Sequence, residues 1–363
     1  MKRMIRTTAA SLALILLLGG CSKTTDINTT EATSTSVETT STETTVETIE
    51  ITTETTETEP EKSNSFKYDI YATSPMYDEV MGEDMAQAYQ NMLHAIMNGE
   101  TEFECADQNT YDWMTGQYAF SYCPVLYEHM IEEGYSDGVG YVSLDISYEE
   151  FYQELDEFGV LVEDVLNEVF EEDYTDFEKA LALYIYFSEC GNFTYDYEAA
   201  NADEYLDTNS ILKVLETRYG ICGDFSTTYS FLLAQVGVDA GTIGGIRSSD
   251  KAPHGWSIIR LNGKCYQIDP TYALGYDGWM AYFMMDTDQR ENEDGYMRDD
   301  YTYVNNYTQY GPVEYDVSEF YCEDDKYSVL WDKTVCDFDP ETKTMYCTDF
   351  YCDPIEIDYS ELE

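Results

Sequence analysis

The sequence predicts an α+β fold, with helices packed on an antiparallel sheet and a smaller mixed α/β subdomain ahead of it. Three observations predict this. Between residues 149 and 236, apolar residues recur at helical spacing. From 240 onward the pattern changes to period two, in AGTIGGIR, HGWSIIRL and KCYQIDPT. Helices precede strands without βαβ alternation, which points to antiparallel pairing.

The chain begins outside this fold. Lys2, Arg3 and Arg6 precede an apolar run from Ala9 to Leu18, too short for a transmembrane helix and built like a secretory signal peptide over 1–20. The following Leu18-Gly19-Gly20-Cys21 resembles a bacterial lipoprotein box. That resemblance implies cleavage before Cys21, a lipid anchor on Cys21, and a location on the extracellular face of the bacterial cell membrane. Residues 21–65 are mostly Thr, Ser and Glu, with no aromatic residue. Such a composition buries too little apolar surface to order, so a disordered stalk is expected.

Residues 66–147 read as the small mixed subdomain. Its helix over 82–100 puts Met85, Tyr89, Met92, Leu93 and Ile96 on one face and stops at Asn98-Gly99. The strand-like GYVSLDISY follows. A main domain is expected over 148–300. A long helix from Glu149 to about Glu171 carries Phe151, Leu155, Phe158, Leu161, Val165, Leu166 and Val169. The next opens on the capping box Thr175–Glu178 and carries Ala180, Leu183, Ile185 and Tyr186. A short extended FTYDY and a short helix in SILKVLETRYG lead to a helix over 223–236. Its apolar face is Phe225, Tyr229, Leu232, Leu233 and Val236, and Gly237 ends it. Residues 301–363 form an acidic, cysteine-containing extension without a motif.

The net charge is −55, which argues against nucleic acid and anionic surfaces as partners. Ten cysteines occur in a chain that leaves the reducing cytosol. With Cys21 and Cys222 set aside, the remaining Cys105, Cys123, Cys190, Cys265, Cys322, Cys336, Cys347 and Cys352 are even in number and suit disulfides. No CxxC pair occurs, so no metal site is expected. No cofactor is expected either. Calcium stays open, because DTDQRENEDG is acidic but lacks EF-hand ligand spacing.

Cys222 sits between Gly220 and Gly223 at the head of a helix. The positive helix end favours a thiolate, and unpaired N–H groups there hold a developing oxyanion. Alone, a cysteine at a helix start is more often packed than reactive. A base is needed, and only His94, His129 and His254 exist. His94 lies at the edge of the first helix, and His129 has no glycine turn or strand beside it. His254 opens a strand. Asn262-Gly263 is a two-residue hairpin signal. Leu261 then faces Lys264, Trp256 faces Asp269 and His254 faces Thr271. His254 and Asp269 become diagonal neighbours about 7–8 Å apart along the backbone, close enough for imidazole and carboxylate to meet. The opposite face receives Ile259, Leu261, Tyr266 and Ile268.

Together, Gly220-Ile221-Cys222-Gly223-Asp224-Phe225, His254-Gly255-Trp256 and Tyr266-Gln267-Ile268-Asp269-Pro270-Thr271 resemble the transglutaminase-like superfamily over about residues 175–290. Ser226 and Cys265 depart from the family's usual alanine and aromatic. The resemblance implies a papain-like core with Cys222 as nucleophile, His254 as base and then acid, and Asp269 as orienter. Trp256, Tyr219 and Gly223 are candidates for the substrate groove. A surface-anchored acyl-transfer enzyme acting on protein or peptide is expected, hydrolysing peptide or amide bonds through a thioester. The alternatives are an amine-accepting cross-linker and a non-catalytic scaffold lipoprotein.

Overall fold

In the computed structural model, residues 65–76, 79, 83–200, 211–303, 307–308, 311–312 and 318–363 are described. The expected signal peptide, Cys21 and nearly all of the expected stalk lie outside them. The described residues belong to one compact unit, and none of their helices is long and apolar enough to cross a membrane.

Helix α1 (Glu83–Met97) buries the expected face, Met85, Tyr89, Met92, Leu93 and Ile96. It ends where Gly99 takes φ 74°, a left-handed conformation that glycine adopts without strain. Strands β1 (Glu102–Glu104), β2 (Met130–Ser136) and β3 (Val139–Leu144) make a small antiparallel sheet with β3 in the middle. Between β1 and β2 the chain runs through short helical pieces, including a π-helical turn at Met114–Tyr118.

Helix α2 (Tyr148–Val169) starts on a Ser147–Glu150 capping box, and α3 (Asp176–Ser188) on the expected Thr175–Glu178 box. The α3 core face differs from expectation. Phe177, Leu181, Tyr184 and Phe187 join Ala180 and Leu183 inside, while Ile185 and Tyr186 are only half-buried. The Tyr186 hydroxyl explains its position, because it bonds Arg218 and Glu168 at the surface. Helix α4 (Ile211–Thr217) leads into α5 (Cys222–Gln235).

The main sheet is antiparallel, in the order β6–β5–β4–β7, from β4 (Ala240–Arg247), β5 (Pro253–Leu261), β6 (Lys264–Ile268) and β7 (Tyr296–Tyr303). Asn262 and Gly263 have φ 50° and 78°, as a type I′ turn requires. The predicted hairpin register holds for five pairs, Leu261↔Lys264 to Ser257↔Ile268. Helix α5 lies across β4 and β5. It is buried almost all round, not on one face, because hydroxyls on its other sides are satisfied internally. Ser226 donates to the Cys222 carbonyl, Thr228 to Asp224 and Ser230 to Gly241.

Helix α6 (Thr287–Asp294) precedes β7. A last antiparallel sheet, β8 (Thr334–Asp339), β9 (Thr344–Thr348) and β10 (Pro354–Asp358), closes the chain. All nine described cysteines are free thiols, contrary to the disulfide expectation. Cys105, Cys123, Cys265, Cys322 and Cys347 are buried as small apolar side chains, and Cys190, Cys336 and Cys352 are exposed.

Candidate active site

Three elements bring Cys222, His254 and Asp269 together. Cys222 is the first residue of α5, and the N-cap Ile221 carries no side-chain acceptor. The carboxylate of Asp224 instead accepts the Ile221 N–H at 2.9 Å. Gly220 fits closely here, since a Cβ on it would stand 3.0 Å from Asp224 Cβ and from Val214 Cγ2 and press on both. No side chain of the N-cap residue caps the opening N–H groups of α5, the turn that carries the thiol.

His254 lies on β5, paired with Gly245 of β4. Its Nε2 meets Asp269 Oδ2 at 2.6 Å, with both side chains buried. The Cys222 thiol is a further side-chain hydrogen-bond partner of His254. Asp269 does not extend the ladder to Trp256. Its N–H goes to the Tyr282 carbonyl, and it caps a short helical turn, Pro270–Ala273. Oδ1 accepts the N–H groups of Thr271 and Tyr272, each at 3.1 Å. Burial alone would raise the Asp269 pKa. The charges of His254 and Arg290 and these hydrogen bonds override burial and hold the carboxylate ionised. Burial likewise opposes a charged His254, but the Asp269 charge and then Cys222 raise its pKa well above the ordinary imidazole value.

Arg290, which the sequence did not single out, is part of this arrangement. It is fully buried in α6, with Nη1 2.9 Å from Asp269 Oδ2, the same oxygen that binds His254. Its guanidinium lies 4.4 Å from the Trp256 ring, 4.6 Å from Tyr296 and 5.6 Å from Tyr272. The same rings surround His254, with Tyr272 nearly parallel at 4.7 Å. The only signal in the sequence was a lone arginine within an acidic run.

Trp256 does not line a groove. It is fully buried against Arg290, Tyr296 and Tyr301, because β7 covers that face of the hairpin. Gly223 lies on the α5 side nearest β5, with its Cα 3.7 Å from where a Cβ on Gly255 would stand. Tyr219 is half exposed and pairs with Thr194 on a short parallel bridge. Around the thiol, Phe120 and Ala200 join Ile221 and Cys222 in a small apolar cluster, with Tyr127 and Tyr195 packed on it. Phe120 and Tyr127, from the upstream part of the chain, are contacts that no motif announced. His129 is placed away from the triad, between Asp145 and Glu154, and His94 packs on Tyr71. Among the described residues no cluster of three or more potential metal ligands occurs.

Residues 163–282 match the model of the transglutaminase-like superfamily. No curated protein matches the chain. Among solved structures, a transglutaminase (TGase) crystal structure is 20% identical, with TM-score 0.27, over 46% of this chain and 48% of that one. A candidate cysteine protease from Cytophaga hutchinsonii is 14% identical, with TM-score 0.27, over 41% of this chain and 63% of that one. A candidate protease from Parabacteroides distasonis is 14% identical, with TM-score 0.25, over 38% of this chain and 35% of that one. The chain therefore spans less than two thirds of each of these proteins. The segment that carries Cys222, His254 and Asp269 is thus similar to the transglutaminase-like superfamily core over residues 163–282.

Proposed function

We propose that the protein is a cysteine acyl-transfer enzyme that hydrolyses peptide or amide bonds. One observation carries this reading. A buried imidazole is bonded to a carboxylate, and the thiol that also partners it stands at a helix start with no side-chain cap. In the first half-reaction the Cys222 thiol proton passes to His254, and the sulfur attacks the substrate carbonyl carbon. The opening N–H groups of α5 stabilise the oxyanion. His254 returns the proton to the leaving nitrogen, the C–N bond breaks and a thioester remains. Water then attacks the thioester with His254 as base, releasing a carboxylic acid and restoring the thiol. A lipid on Cys21 would hold this chemistry at the outer face of the membrane, within reach of extracellular protein or peptide.

The test is alkylation of Cys222 by iodoacetamide at neutral pH. Labelling in the wild type should exceed that in His254→Ala by at least about tenfold. Equal rates would sink the enzyme reading and favour a scaffold. Incubation with glutamine-containing peptides, with and without a primary amine, then identifies the acceptor. Amine incorporation in place of cleavage or ammonia release would replace hydrolysis by cross-linking.

A further inference from the structure

We propose that Arg290 is a positioning residue of this reaction, a buried cation that keeps the Asp269 carboxylate placed and ionised while sharing it with His254. The proposal rests on the acyl-transfer reading and deepens it. Arg290 lies beyond the segment that matches the superfamily model and is brought to the site by α6, which packs against β6 and β7.

A fully buried guanidinium is costly unless a carboxylate and hydrogen bonds receive it. Here it is given to the one carboxylate the triad uses, on the one oxygen that also holds His254. Three aromatic faces enclose both cations, which leaves little freedom for either to drift. The consequence is electrostatic. His254 must accept a proton from Cys222 and then release it to the leaving nitrogen. An imidazolium bound to a carboxylate with no other cation would hold that proton too tightly. Arg290 takes part of the carboxylate's charge and repels the imidazolium, so the proton is released more readily. It also balances charge, since an arginine and an imidazolium then face an aspartate and a thiolate.

The groups that face His254 from each neighbouring element are few. Cys222 comes from α5, with Asp224 nearby binding the Ile221 N–H. Asp269 and Tyr272 come from the turn after β6, Arg290 from α6 and Tyr296 from β7. Arg247, at the end of β4, lies 3.4 Å from the Tyr272 hydroxyl and is itself paired with Asp250.

The experiment uses the full chain and two neutral variants. Arg290→Met keeps bulk without charge, and Arg290→Gln keeps a donor to Asp269 without charge. Arg290→Lys retains the charge. His254 is followed by its ring-proton NMR titration, and Cys222 by the pH dependence of iodoacetamide labelling. Both neutral variants should move the His254 titration upward by about one pH unit, a tenfold change in proton affinity, and should lower kcat more than they raise KM. Arg290→Lys should recover most of the shift. Folded neutral variants whose titration superimposes on the wild type would make Arg290 a packing residue only. If neither neutral variant folds while Arg290→Lys does, the cation is a folding requirement and the proposal is withdrawn. Failure of the underlying reading is distinct. It shows as wild-type labelling indifferent to His254→Ala, whatever the Arg290 variants do.

Discussion

At Gly245 a missing side chain decides where the Trp256 ring lies. A Cβ there would stand 2.7 Å from Trp256 Cη2, 3.2 Å from its Cζ3 and 3.4 Å from Tyr301 Cδ1. The Arg290 guanidinium lies over the Trp256 ring at 4.4 Å, so a shift of the indole would disturb the cation that meets Asp269. Gly245→Ala should therefore lose about 1–3 kcal/mol of stability, as overpacked cores do. It should also slow Cys222 alkylation, because the strain passes through Trp256 and Arg290 to the Asp269–His254 pair. Urea unfolding and the labelling rate measure the two effects. A variant as stable and as reactive as the wild type would mean that the ring shifts at little cost.

At the scale of elements, His129 joins three pieces of chain. It ends the short helix Pro124–His129, and its Nδ1 lies 3.0 Å from Asp145, just after β3. Its Nε2 lies 2.7 Å from Glu154 on α2. Partial burial pulls its pKa down, but the bonds to Asp145 and Glu154 outweigh this and raise it. A raised folded-state pKa means that the stabilisation is fully present below the ordinary value near ~6.5 and is lost as pH rises through the raised one. The carboxylates are half exposed, so solvent screening limits the contribution to about 1 kcal/mol. His129→Ala should lose about that much at a mildly acidic pH and almost nothing in alkaline solution, measured by urea midpoints. An equal loss at both would assign the effect to packing. This clamp was not legible in the sequence, because its partners lie 16 and 25 residues away on separate elements. What was legible is local. The Thr175–Glu178 box, the Asn262-Gly263 turn and the left-handed Gly99 and Gly237 depend on neighbours in the chain, and each stands where the pattern put it. The α5 surface was misread because serine and threonine count as polar in a periodicity, yet here they bury their hydroxyls on helix and sheet carbonyls.

At the scale of the whole molecule, the nearness of Cys222, His254 and Asp269 was legible because a helix start and a hairpin bring them close, although Asp269 leaves the predicted ladder for the Tyr282 carbonyl. Arg290 and the aromatic rings were not, because they reach the site only once α6 and β7 have docked. The same holds for the closing sheet, whose segment had no motif. It seals the start of α3. Tyr359 donates to Glu178 Oε1 at 2.5 Å, Lys343 reaches the same oxygen at 3.0 Å, and Glu178 Oε2 accepts the Thr175 N–H of the capping box. Tyr359 also packs on Phe177, and Met280 N–H bonds the Lys333 carbonyl. Residues nearly two hundred positions apart thus share one buried carboxylate. Burial would raise the Glu178 pKa, but the Tyr359, Thr175 and Lys343 bonds lower it. A lowered carboxylate pKa contributes stability above the unfolded value, and that stability is lost as pH falls through the folded one. Tyr359→Phe keeps the ring and deletes the donor, so it should cost about 1–3 kcal/mol at neutral pH. With one donor gone, the Glu178 pKa moves back toward its ordinary value, so acid unfolding should begin at a higher pH than in the wild type. Circular dichroism across an acid titration reads the midpoint directly. An unchanged midpoint with unchanged stability would show that Lys343 and Thr175 hold the carboxylate without the tyrosine, and that the Tyr359 hydroxyl adds nothing to the joint between the closing sheet and α3.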